Sequence, residues 1–264
     1  MARDATTAGP ARGATTADAD GTGLRRLNLV VGLAHLAQAA LMLALSNDLA
    51  LPVVASFLRD DPVLVQEGVR PEALFDVPIG PVVALFLLLA ALDHLLVAAP
   101  GIRSWYERGL DRGINVARWS EYSVSASLMV VLIALFVGIR DVAALLGLFG
   151  VNTSMILFGL LMEKHQAPGR ADWSAFWFGC IAGVVPWAAV GWYVLGGGEV
   201  PGFVYAITLT QLALFSGFAV NQALQYRQVG RWASYRFGEA AYIVLSLVAK
   251  SLLAWLIYAN VLRT

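Results

Sequence analysis

Seven apolar runs of about 20 residues each leave this chain few ways to fold. They fall at roughly 25–47, 78–99, 115–138, 142–163, 173–195, 202–225 and 237–262. A run of that length crosses the hydrocarbon core of a bilayer as a helix, because a helix satisfies its backbone polar groups internally. With 59% hydrophobic and 14% charged residues, the composition is that of a polytopic membrane protein and excludes a water-soluble globule. The single cysteine, Cys180, rules out an intramolecular disulfide. Three scattered histidines, His35, His94 and His165, make no metal cluster, so no metal site is expected. An enzymatic role and a nucleic-acid partner are not expected either.

The polar connections add organisation. Residues 1–23 are rich in Ala, Thr, Gly and Asp, lack the apolar block of a signal peptide, and read as a disordered cytoplasmic tail. Residues 24–264 read as one seven-helix domain. The long connection 48–77 holds LPVVASF and PVLVQ between Asp, Arg, Gly and Pro clusters, and reads as a small β-hairpin outside the membrane. On the side of the N-terminus lie Arg3, Arg12, Arg25, Arg26, Arg103, Arg108, Arg112, Arg118, Lys164, Arg170, Arg227, Arg231 and Arg236. The opposite side carries Arg59, Arg70, Arg140 and Arg263. Positive residues accumulate in the cytoplasm, so the N-terminus is expected inside and the C-terminus and hairpin outside the cell membrane.

Inside the runs the ionisable side chains read as His35, Asp93, His94, Glu121 and Lys250. Lys250 is the most constrained, being the only formally charged residue between Glu239 and Arg263. It lies about 12 residues from either end of its run, too far to snorkel, so its amine needs an acidic partner or a covalent bond. Span three continues about 17 residues, or roughly 26 Å, beyond Glu121, and span seven about 12 residues, or roughly 18 Å, beyond Lys250. Side chains lean toward the helix N-terminus, which brings the lysine nitrogen to nearly the level of the carboxylate. The pair then admits two readings. It is a structural ion pair between helices, with Arg118 as another partner for Glu121, or it is a ligand-bearing amine with its counterion.

Asn28, His35 and Gln38 share one face of span one, at spacings of seven and three. With His94, Tyr122, Ser125 and Glu121 they line a polar pocket in the half toward the N-terminus, while Asp93 points elsewhere, toward headgroups or loop arginines. The outer half offers no carboxylate: Leu132 lies three turns beyond Glu121, and beyond Lys250 come only Ser251, Trp255, Tyr258 and Asn260. A one-sided set of titratable groups disfavours transmembrane proton pumping. Pro186 interrupts span five and is expected to kink it.

The string Ser120-Glu121-Tyr122-Ser123-Val-Ser125, the lysine within Ser246-Leu-Val-Ala-Lys250-Ser and the N-inside orientation together resemble the heliorhodopsins, from about Leu24 onward. The resemblance implies an all-α, seven-transmembrane-helix rhodopsin bundle. All-trans retinal would be held on Lys250 as a protonated Schiff base, with Glu121 as counterion and Ser246 beside the linkage. It implies photoisomerisation to 13-cis, a slow photocycle, signalling without ion pumping, and a homodimer with contacts from the outer hairpin. It places Met155, Asn152, Trp177, Phe215 and Gln222 around the polyene and ring. It also assigns His35, His94, Asn28 and Tyr122 to a cytoplasmic polar cavity that holds the released proton. Ala90 departs from the pattern, which leads one to expect a serine there.

A light sensor with an unidentified downstream partner is therefore the leading expectation. A light-gated or light-driven ion transporter and a ligand-free membrane scaffold are the competing ones.

Overall fold

The computed structural model describes residues 13–57 and 70–263, with side chains from Thr22 onward. In chain order these form helix α1 (Gly13–Leu45), strands β1 (Ala50–Ala55) and β2 (Glu72–Pro78), and helices α2 (Ile79–Ala98), α3 (Arg103–Asp111), α4 (Val116–Phe136), α5 (Val142–His165), α6 (Ser174–Gly196), α7 (Gly202–Tyr226) and α8 (Tyr235–Ile257). A 3₁₀ turn, Gly230–Ala233, precedes α8, and a π-helical turn, Tyr258–Leu262, continues it. Seven of these helices are long and apolar enough to span a membrane, and α3 is the short polar exception. The spans alternate in direction. The N-terminal ends of α1, α4, α6 and α8 therefore share one face of the bundle with α3, while the hairpin and the C-terminus lie at the other.

Local chemistry sets several boundaries. Pro78 precedes α2, where its missing N–H costs nothing. Asn115 caps α4 by accepting from Arg118 N, and Asp141 caps α5 by accepting from Ala143 N and Ala144 N. Pro186 is buried within α6, which remains one continuous helix. Two expectations change. Helix α1 begins at Gly13, so residues 13–23 extend the first helix, and only residues 1–12 of the expected tail lie outside the described residues. The strand paired with β1 is Glu72–Pro78, while PVLVQ falls outside the described residues. The pairing is antiparallel, with Val53 opposite Phe75 and a bulge between Val53 and Val54. That bulge turns Val54 N onto Arg140 O at 2.9 Å, tying the hairpin to the α4–α5 turn.

The core is polarised along the bundle axis. The half nearest the hairpin is packed with Phe86, Leu87, Met129, Leu132, Leu253 and Ile257, all essentially without exposure. The buried charges gather in the other half. At the hairpin end α1 and α2 approach closely: a Cβ on Gly80 would lie 2.6 Å from Ser46 Cβ. Gly80→Leu is expected to cost about 1–3 kcal/mol through overpacking. Gly147→Ala, at an exposed helical glycine with open space around it, should leave the unfolding midpoint unchanged or higher. Thermal unfolding in detergent distinguishes the two, and equal effects would contradict this packing.

Candidate functional site

Lys250 projects from α8 and is buried, with its side chain 3% exposed. Its Nζ donates to Glu121 Oε2 at 3.1 Å and to Ser246 Oγ at 2.9 Å, and it lies 4.8 Å from the centre of the Tyr122 ring. Glu121 and Tyr122 come from α4, and Ser246 sits one turn before the lysine on α8, where the i,i+4 spacing aims its hydroxyl at the amine. Tyr122 is held in place by donating to Tyr242 O at 3.0 Å. The second carboxylate oxygen of Glu121, Ser125 Oγ and both ring nitrogens of His35 are buried without a protein partner among the described residues. Buried polar atoms without partners are costly, and one of them belongs to the carboxylate that Lys250 itself bonds.

The amine lines a cavity of about 120 Å³. Its walls are almost wholly apolar, with Met129, Met155, Ile156, Phe215 and Phe218 prominent, and Gln222, Tyr122 and Ser246 as polar contributors. Gly159 also lines it, and a Cβ there would lie 2.4 Å from the Trp119 ring, so the indole occupies space that only glycine leaves free. Gln222 donates to Gly159 O at 3.1 Å, fastening α7 to α5 beside this wall. A long apolar molecule ending in a carbonyl matches such a site, because the walls bury the chain and the amine meets the carbonyl.

Of the residues expected around the polyene and ring, Met155, Phe215 and Gln222 line the cavity. Trp177 does not. It is 56% exposed on the outer face of α6, and it stacks edge-on with Phe176, which does line the cavity. Asn152 is fully buried but is engaged between α4 and α5, donating to Ser127 Oγ at 3.0 Å. Toward the N-terminal face, the His35 and His94 rings stack with centroids 5.9 Å apart and planes 6° from parallel. His94 Nδ1 lies 2.7 Å from Asn28 Oδ1. Gln38 faces the other way and accepts from Trp255 Nε1 at 3.0 Å. Asp93 lies within electrostatic reach of Glu121 and Lys250 rather than at a loop arginine. Ala90 is fully buried.

A second charged centre was missed by sequence reasoning. Arg118 is buried, and its guanidinium bonds Glu163 Oε1 at 2.5 Å and, in close contact, Glu239 Oε2. The reading of Arg118 as a partner for Glu121 therefore fails. Glu163 also accepts from Trp119 Nε1, Asn115 N and Tyr235 Oη. Glu239 accepts from Asn115 Nδ2 and Tyr106 Oη. Both carboxylates sit near the ends of their apolar runs, where a carboxylate ordinarily reaches headgroups. The available signal was Arg118 itself, a cation inside an apolar run that also needs partners.

Tyr106 links Asn28, the partner of His94, to the ionic cluster from outside the spans. Its hydroxyl receives Asn28 Nδ2 at 3.4 Å and donates to Glu239 at 3.2 Å. Burial pushes its phenol above the ordinary range, with the Asn28 hydrogen bond opposing, so it stays a donor at neutral pH.

The Heliorhodopsin family profile matches residues 24–262. Among solved structures the chain is similar to the crystal structure of a light-driven proton pump, LR (Mac), from Leptosphaeria maculans. The TM-score is 0.63 at 17% sequence identity, covering 90% of this chain and 94% of that one. At that identity the likeness speaks for a shared seven-helix fold. No curated protein matches. Arg118→Met, which strands two buried carboxylates, is expected to cost about 3–5 kcal/mol, read by denaturant unfolding. A near-neutral effect would contradict the ionic cluster.

Proposed function

We propose a light-sensing function for this chain, which belongs to the heliorhodopsin family. Membership implies a retinal chromophore, and the observation that carries the site assignment is the Lys250 amine, in the wall of an apolar cavity and 3.1 Å from Glu121. Lys250 would hold all-trans retinal as a protonated Schiff base, which would supply visible absorption and, through isomerisation to 13-cis, the trigger for a slow photocycle.

The protein's own groups do the rest. Glu121 balances the positive nitrogen, which would otherwise lose its proton in a low-dielectric interior. Ser246 holds that nitrogen toward the carboxylate, and the face of Tyr122 adds cation–π attraction. Met155, Phe215 and Gln222 confine the ligand laterally. His35 and His94, with Asn28 between them and the ionic cluster, offer the nearest imidazoles for a proton leaving the linkage. Every such group lies in the half of the bundle toward the N-terminus, and the packed apolar half near the hairpin carries no titratable route outward. That asymmetry supports signalling by conformational change without ion pumping. The excess of arginine on the N-terminal side supports a cytoplasmic N-terminus, an extracellular hairpin and C-terminus, and residence in the cell membrane as a multi-pass protein. A homodimer and an unidentified cytoplasmic or membrane partner complete the proposal.

Two substitutions test it. Lys250→Ala should abolish the visible band of the retinal-reconstituted protein, whereas Lys164→Ala should keep it; colour in Lys250→Ala would remove the lysine from its role. Glu121→Gln should move the band to longer wavelength and bring deprotonation to lower pH, because the carboxylate stabilises the positive ground state. An unshifted spectrum would remove Glu121 as counterion.

A further inference from the structure

Asn28 stands at the one point where the histidine pair meets the ionic cluster, and its chemistry differs from that of its neighbours. The links run in a single direction. Asn28 Nδ2 donates to Leu24 O at 3.0 Å and faces Tyr106 Oη at 3.4 Å, so its amide nitrogen points toward two acceptors. Flipping the amide would set its oxygen against the Leu24 carbonyl. The oxygen is therefore committed to His94 Nδ1 at 2.7 Å, which requires that Nδ1 carry the hydrogen. Tyr106 in turn donates to Glu239. Each buried donor has an acceptor, and the chain ends on a carboxylate.

We propose that Asn28 is a proton barrier: it fixes His94 as the Nδ1–H tautomer, leaving Nε2 to accept, and blocks onward transfer to Tyr106 and Glu239. The inference rests on the light-sensing reading for the origin of the proton, but not for the tautomer. A proton arriving at Nε2 leaves imidazolium with Nδ1–H still donated to Asn28 Oδ1. To pass charge along, the amide would have to bind that proton on Oδ1 and surrender one from Nδ2, becoming an imidic acid. A side-chain amide conducts a hydrogen bond but resists this exchange, whereas a carboxyl, a phenol or an imidazole carries it readily.

Beyond Tyr106 lies a pair of carboxylates. Glu163 and Glu239 share one guanidinium, a formal charge of one minus in buried surroundings. Lys250 from α8 acts on both histidines, Asp93 of α2, next to His94 in the chain, feels Glu121 and Lys250, and Tyr106 of α3 meets Asn28. Among the described residues, Asn28, which lacks a titratable group, joins the pair to the cluster by hydrogen bonds to His94 and Tyr106.

Two measurements decide the matter. In the retinal-free wild type, ¹⁵N NMR of labelled histidine should show a neutral Nδ1–H imidazole at His94, a signature lost in Asn28→Leu; an Nε2–H tautomer would overturn the wiring. This arm needs no chromophore, so it stands apart from the fate of the light-sensing reading. In the retinal-loaded protein, light-minus-dark infrared spectra should show no protonated-carboxyl band from Glu239. Asn28→Asp makes every link titratable, and a carboxyl band that Glu239→Gln removes should then appear. Adding Tyr106→Phe should abolish that band again. A Glu239 band already present in wild type would show that the proton passes the amide, and its absence in a folded, coloured Asn28→Asp protein would equally overturn the barrier. If no coloured pigment forms at all, the light-sensing reading fails instead.

Discussion

A cation buried in an apolar helix is tolerated only if something nearby answers its charge, and that constraint organises this molecule twice. Lys250 is answered by Glu121 and Ser246. Arg118 is answered by Glu163 and Glu239, with Trp119, Tyr235, Tyr106 and Asn115 completing the shells of the two carboxylates. The first centre is incompletely satisfied: Glu121 keeps a free oxygen, and His35 keeps both nitrogens free. The second has its carboxylates saturated with donors. The first centre borders a cavity, as a site of chemistry requires. The other draws α4, α5, α8 and the α3 connection together, as a structural clamp requires.

The histidine pair and the ionic cluster are joined through Asn28 and Tyr106, which brings the short polar helix α3 into the path. A change in the charge of the histidine pair alters the bond to Asn28 and thereby the hold of Tyr106 on Glu239. Conformational information can pass along that path while the proton stays behind. The packed core near the hairpin, where Phe86, Leu132 and Ile257 are wholly buried, offers no comparable path in the opposite direction.

Much of this was legible in the sequence. Span count, span boundaries and the hairpin follow from the lengths of apolar runs and the placement of Gly, Pro and Asp. The Lys250–Glu121 pairing follows from depth counting along two helices of the same direction. What escaped has a common physical cause. Trp177 and Phe176 are adjacent on α6, and a sequence shows no rotational phase for a helix apolar on every side; the structure turns Phe176 inward and Trp177 outward. Glu163 and Glu239 drew no notice because they sit at the ends of their apolar runs, where burial depends on what the α3 connection covers. The partner of β1 was misplaced because PVLVQ and EALFDVP are both plausible strands, and pairing is decided by register with β1 and contact with the α4–α5 turn.

The central claim is that Lys250, in this cavity and beside Glu121, is the attachment point for the chromophore. The most direct measurement is to add all-trans retinal to the purified ligand-free protein, reduce the product with borohydride, and map the modified peptide by mass spectrometry. The account predicts a retinyl group on Lys250, formed in step with a visible band before reduction. Modification at Lys164 instead, or a band that forms with Lys250 unmodified, would contradict it.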